Sequence, residues 1–363
     1  MGTRPVLTPQ DPDAFRATVL RKAARIERRR RRTRALMWVP GAAAVALSVV
    51  LVTRPGPPDE QISAGVAAES VASGVVTTET VSFGDGRTPR AVVGASDGAI
   101  WVLERDEDGS AISRVEDDRA TVVAELPEGA QPDVVVAGAD GALWMTDPVG
   151  DRVIRVALDG DVSAWPTPST PSSTAAFASD GRFWFAEPDR DRLTGMAADG
   201  GVLHHDVPRG RRPDVVAVGP DGSIFFGESA SPRIGSVSPS GTVTEYDLDG
   251  DERAVAMVSG PGPALWMVLE SSSGARLARL DGRGNIVGDE LEGDVPEVIA
   301  NGSDGRLWYS TADEPAVRQQ SLRGPTSRSL DRSLRASSWA MGSDGSMWAV
   351  DRERGAVVSV TLD

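Results

Sequence analysis

The stretch that decides the fold is Asp140–Gly160, DGALWMTDPVGDRVIRVALDG. Asp140-Gly141 between two apolar runs is a hairpin signal, because glycine supplies the positive φ that a tight turn requires. The run before it, Val134-Val135-Val136, reads as a short strand. The run after it, Leu143-Trp144-Met145, is apolar on both faces and reads as a buried strand. Val153-Ile154-Arg155-Val156 alternates, and the second turn at Asp159-Gly160 leads into Asp161-Val162-Ser163-Ala164-Trp165. These are four short antiparallel strands in about 41 residues, the content of one propeller blade.

The pattern recurs along the chain. Asp-Gly followed by an apolar pair ending in an aromatic leads to Trp101, Trp144, Trp184, Phe225, Trp308 and Trp348. A degenerate copy, Gly262-Pro263-Ala264-Leu265-Trp266, fills the remaining gap. The intervals between aromatics are 43, 40, 41, 41, 42 and 40 residues. Six of the nine tryptophans fall on this beat, so they belong to the repeated core and not to a stacking surface. The last unit stops after its third strand, Ala356–Val360, and an orphan strand at 75–83 precedes the first unit. The expected fold is therefore all-β: a seven-bladed β-propeller of four-stranded blades over 75–363, with strand 75–83 closing the last blade and hiding the open edges.

Composition removes several chemistries. The 363 residues include no cysteine, which excludes disulfides, thiolate catalysis, zinc–thiolate sites and iron–sulfur clusters. Two adjacent histidines, His204 and His205, cannot make a polyhistidine metal site. The net charge of -15 argues against a nucleic-acid partner. That charge is unevenly spread. Residues 1–34 hold eleven basic and three acidic side chains, a balance of +8, whereas the other 329 hold 27 basic and 50 acidic, a balance of -23.

Between the two lies 35–53, ALMWVPGAAAVALSVVLVT, with no charge in 19 residues. As a helix it would span about 28 Å, close to a bilayer core. A single transmembrane helix is expected here, with the basic tail 1–34, itself helical in pattern, on the cytoplasmic side and the propeller outside. The tail is suited to anionic lipid. Residues 54–74, Pro-rich at the start and then small and polar, read as a linker.

The unit D-G-x-[IL]-W-[FMV]-x-[ED], followed by x-R-[IV]-x-x-[IV] and a D-G turn, resembles virginiamycin B lyase, the streptogramin lyase. The copies at 140–160, 180–200 and 221–241 carry the likeness, which covers about 75–363. The resemblance implies a propeller that opens a cyclic depsipeptide by C–O elimination, with histidine as general base and magnesium near the central channel. No residue here inherits the histidine role, because His204 and His205 fall in an outer strand. The preferred expectation is a ligand-binding, sensing or interaction module, with a lyase or a cell-envelope scaffold as alternatives.

One constellation remains. Three residues past the beat aromatic stand Glu104, Asp147, Glu187, Glu228 and Asp351, at the ends of second strands. Propeller connectivity places them on one face around the channel mouth, where a carboxylate ring suits magnesium, calcium, or a basic ligand or protein. Asp313 and Glu314 are expected on the same face. Alternatively, each acid accepts backbone amides of its own loop and recurs because the blade recurs. Arg90, Arg211 and Arg212 are candidate binding residues near the same face.

Overall fold

The computed structural model describes residues 45–46, 49–51 and, with short gaps, 76–362. The tail 1–34, the linker 54–74 and the pair Asp313 and Glu314 lie outside the described residues.

Among the described residues the strands form seven sheets, named here in order of their inner strands. Sheet one is Thr88–Gly94, Ile100–Arg105, Ser110–Glu116 and Arg119–Glu125. Sheet two is Val136–Ala137, Leu143–Asp147, Arg152–Val156 and Val162–Pro166. Sheet three is Ala175–Phe177, Phe183–Glu187, Arg192–Met196 and Val202–Asp206. Sheet four is Pro213–Val218, Ile224–Glu228, Arg233–Val237 and Val243–Asp247. Sheet five is Arg253–Ser259, Leu265–Ser271, Gly274–Leu280 and Ile286–Glu290. Sheet six holds Pro296–Asn301, Leu307–Thr311, Val317–Gln320 and Ser327–Asp331. In sheet seven, Ala336–Met341, Met347–Asp351 and Ala356–Leu362 are joined by Val76–Val81. The register of this closing pair runs from Val76 opposite Leu362 to Val81 opposite Val357.

The expectation of seven equal four-stranded blades behind a transmembrane helix is corrected here. Six sheets are four-stranded blades, and the remaining sheet, sheet six, is six-stranded. Its extra strands, Val49–Leu51 and Val45–Ala46, come from the segment expected to be a membrane helix. Val50 pairs with Ile299 and Leu51 with Val298, and Val45 and Ala46 pair back on the added strand. A short apolar run does not by itself distinguish helix from strand, and a valine-rich one fits a pleated surface well. The inner edge of a propeller sheet offers unpaired N–H and C=O groups to such a run. Among the described residues no helix is long and apolar enough to cross a membrane.

The inner strands of successive sheets are neighbours all the way round, with that of sheet seven against that of sheet one. The core lies between sheets. Leu143, Met145 and Ile154 of sheet two pack with Trp101, Leu103 and Ile112 of sheet one. Trp144 turns to the other side, against Phe183 and Phe185 of sheet three. This is why second strands are apolar on both faces: Leu143–Asp147 is buried at every position, whereas the outer strand Val162–Pro166 has no buried residue.

The repeated Asp-Gly turn is one residue longer than a two-residue hairpin. Gly141 N–H donates to the Gly138 carbonyl and Gly138 N–H to the Ala142 carbonyl, with Gly141 at φ 78°. This is a type I turn followed by a left-handed residue. The aspartate ties the turn to the core. Asp140 accepts from Ala142 N–H at 3.1 Å, from Trp144 Nε1 at 3.1 Å and from Arg155 Nε at 2.7 Å. Asp97 does the same for Ala99, Trp101 and Arg114. The D-G-x-[IL]-W spacing is thus a hydrogen-bonding requirement as well as a turn signal.

Candidate functional site

The opposite end of each sheet is where the repeat diverges. There the residue at or next to the end of the second strand faces the start of the inner strand. Glu104 is opposite Pro89, Glu228 opposite Pro213, Asp351 opposite Ala336 and Thr311 opposite Pro296. At this level the inner strands carry bulges, between Pro89 and Ala91, Pro213 and Val216, Ala254 and Ala256, Pro296 and Val298, and Ala336 and Ser338. A bulge bends its strand and re-aims the extra side chain, and such irregularities concentrate at functional rims. The displaced positions include Arg90, Asp214, Val255, Glu297 and Ser337.

The five expected acids all occur at this end, and all are buried. They are not brought together. Glu104 accepts from Ser113 Oγ at 2.8 Å and faces Arg87 at 3.3 Å. Asp147 accepts from the Gln131 and Gly150 amides at 3.2 and 3.1 Å and from Arg152 Nε at 2.7 Å. Glu187 accepts from Ser169 Oγ at 2.6 Å, Thr194 Oγ1 at 2.5 Å and Arg192 Nε at 2.9 Å. Glu228 accepts from Ser231 and lies 3.6 Å from Arg211. Asp351 accepts the Glu353 and Arg354 amides at 3.0 and 3.2 Å and faces the Arg354 guanidinium at 3.1 Å.

Each carboxylate is therefore held by donors of its own sheet or of the loop leading to it. Among the described residues no group of three or more His, Asp or Glu side chains is placed to hold a metal ion. This donor arrangement does not fit a shared magnesium or calcium ion, and the local-bonding reading of the acids accounts for it.

Burial and bonding set the ionisation of these groups in opposite directions. Desolvation pushes the Glu104 and Glu228 carboxyls above their ordinary range, and their hydroxyl and arginine partners offset it only partly. Glu187 is also desolvated, but its bonds from Ser169, Thr194 and Arg192 outweigh that and hold it below its ordinary value.

Of the expected binding arginines, Arg211 is committed to Glu245 at 2.8 Å and Arg212 to Asp189 at 3.0 Å. Arg90 differs. It is exposed on the bulged inner strand of sheet one and makes no hydrogen bond or ion pair among the described residues. Desolvation lowers its pKa, and the neighbouring charges it feels are Arg105, Asp133 and Arg352.

His204 and His205 sit on the outer strand of sheet three. His204 Nδ1 is 3.0 Å from Thr194 Oγ1, and the His205 ring stacks on Trp184 with centroids 5.3 Å apart. Neither is at an inner strand.

Apart from Arg90, the bulged inner-strand positions were not anticipated, although a signal for some of them exists. A charged residue directly after proline opens the apolar inner run in Pro89-Arg90-Ala91, Pro132-Asp133-Val134, Pro213-Asp214-Val215 and Pro296-Glu297-Val298.

A closed ring of antiparallel sheets, turn-locked at one end and side-chain-diverse at the other, defines a β-propeller with a candidate binding mouth. The model of the Virginiamycin B lyase family matches residues 75–288 and 175–363, so the chain belongs to that family. Among solved structures, a streptogramin B lyase superposes with TM-score 0.66 at 20% identity, covering 79% of this chain and 98% of the other. An inactive histidine-to-alanine variant of virginiamycin B lyase from Staphylococcus aureus, determined with quinupristin, superposes with TM-score 0.67 at 19% identity, covering 79% and 100%. The extracellular domain of a protein assigned as a one-component system from B. thetaiotaomicron gives TM-score 0.59 at 13% identity, covering 78% and 39%. At these identities the superpositions speak to fold alone. No curated protein matches the chain.

Proposed function

We propose that the chain is a ligand-binding or sensing propeller tethered at a cell membrane, and that it does not carry out the elimination of its family's namesake. The observation that supports this is the placement of both histidines of the sequence on the outer strand Val202–Asp206, bonded to Thr194 and stacked on Trp184. An elimination needs a base within hydrogen-bond reach of the proton it removes. The buried carboxylates at the mouth are occupied by arginine, hydroxyl and amide donors, which makes them poor substitutes. The occurrence of this fold as the extracellular domain of a protein assigned as a one-component system is compatible with the reading.

The membrane part rests on the basic tail, residues 1–34 at +8, whose charge suits anionic lipid.

The test incubates the full chain with a streptogramin B depsipeptide and magnesium and follows the linear product chromatographically. No linear product is expected. Magnesium-dependent ring opening, abolished by a chelator, would overturn the binding-module reading in favour of the lyase.

A further inference from the structure

Val45–Ala46 and Val49–Leu51 do more than widen sheet six, because they lie inside the ring. Val49–Leu51 runs antiparallel to the inner strand Pro296–Asn301, with Val50 opposite Ile299 and Leu51 opposite Val298. Its Cα atoms also come within 8 Å of the inner strands of sheets five and seven. Val45–Ala46, paired back on it, comes within 8 Å of the inner strands of sheets one, two, three and seven. Two short strands that neighbour inner strands on opposite sides of a closed ring occupy the channel at its centre.

Each sheet turns the free edge of its inner strand to the channel. Such an edge carries N–H and C=O groups without a ladder partner. A strand added there gains backbone hydrogen bonds, and its side chains supply selectivity. The run that enters, residues 42–53 or AAAVALSVVLVT, is uncharged and rich in valine. Left in water, such a run promotes edge-to-edge association. Its place in the channel covers the run and the edge of sheet six together. Among the described residues the other six sheets take no strand at their inner edge, so the occupancy belongs to one edge of the seven.

We propose that the central channel is a strand-accepting site for an extended, uncharged, valine-rich peptide, and that the chain's own Val49–Leu51, with Val45–Ala46 folded back on it, is a tethered ligand held there. The proposal rests on the binding-module reading and deepens it by naming the class of ligand. A tethered segment acts at an effective concentration of about millimolar. A free peptide of the same class therefore competes poorly until that segment is displaced.

The test uses the full chain and a fluorescent peptide of residues 42–53, followed by anisotropy. In Val50→Pro the proline removes a backbone donor from a strand paired on both sides, while the four blade strands of every sheet keep their sequence. The peptide should bind this variant at one site, about tenfold or more tighter than it binds the parent. Val50→Asp, which would put an unpaired charge in the channel, should do the same and serves if the proline variant fails to fold. Leu51→Cys with Val298→Cys, in a chain that has no other cysteine, should close an intramolecular disulfide on mild oxidation, because directly opposed residues stand within bridging range. Val50→Cys with Ile299→Cys is a second such pair, and an oxidised pair should no longer bind the peptide. Leu51→Cys with Val202→Cys, on the outer strand of sheet three, should stay open. Equal peptide binding by the parent and the displaced variants, no saturable binding by those variants, or no disulfide in either opposed pair would overturn the site. Such a failure leaves the binding-module reading standing, since only the depsipeptide assay decides between binding module and lyase.

Discussion

The two ends of each sheet obey different rules. At the Asp-Gly end the same bonds return: the aspartate accepts the turn amide in sheets one to four and seven, tryptophan Nε1 in sheets one to three, and a third-strand arginine in sheets one and two. At the mouth end the second-strand acid recurs, but its partners change, from Ser113 and Arg87 in sheet one to two backbone amides and Arg152 in sheet two. Repetition at one end follows from a turn and a core position that most of the sheets share. Divergence at the other end gives each sector its own set of donors and acceptors.

The comparison breaks most visibly at the tryptophans. Trp144→Ala should cost about 3–5 kcal/mol, read as a fall in calorimetric Tm, because a fully buried indole packed on Phe183 leaves a large cavity. Trp348→Ala, at a half-buried position on the same beat, should cost clearly less. Equal losses would mean that burial does not set the contribution of the repeat residue.

At the mouth end the two glutamates should respond in opposite senses. Glu187→Gln should destabilise the protein by about 1–3 kcal/mol at neutral pH, through loss of a charge-assisted bond to Arg192. Its folded pKa lies below the ordinary 4.5, so its contribution is present above that value and is lost as pH falls through the folded pKa. Glu104 has a raised folded pKa, so its contribution is full below 4.5 and is lost as pH rises through the folded value. Glu104→Gln should therefore be the milder of the two at neutral pH. Urea denaturation across pH 3–8, a window spanning the carboxylate range, checks the contrast.

The smallest effect is expected at Arg90. Arg90→Gln should change stability by no more than about 0.5 kcal/mol, since the side chain is exposed and makes no hydrogen bond among the described residues. A large loss in the same denaturation assay would make Arg90 a structural residue and blur the distinction between the two ends.

Much of the fold was legible because a repeat states its own physics several times. The burial of Leu143–Asp147 and the exposure of Val162–Pro166 follow from runs that are apolar on both faces or alternating. The closing of sheet seven by Val76–Val81 was legible from an unmatched strand at each chain end. The segment around Val45–Leu51 was not, because an apolar run serves equally in lipid or on a sheet edge, and only the unpaired edge of Pro296–Asn301 shows where it pairs. The acids were found by spacing, but spacing cannot distinguish a shared ring from five separate pockets. Ser113, Arg152, Thr194, Ser231 and the Glu353 and Arg354 amides decided that by reaching each carboxylate from its own sheet or its own loop.

The sequence by itself determined the strand content, the period of about 41 residues and the tryptophan core. These depend on local turn chemistry and side-chain polarity, which are written in every copy. The tertiary structure alone decided the extra strands of sheet six, the bulges that re-aim Arg90 and Asp214, and the packing of sheet seven against sheet one. Those features depend on which residues ring closure makes neighbours across more than 240 positions of chain, as Val92 and Ser338 are, and no local pattern encodes that adjacency.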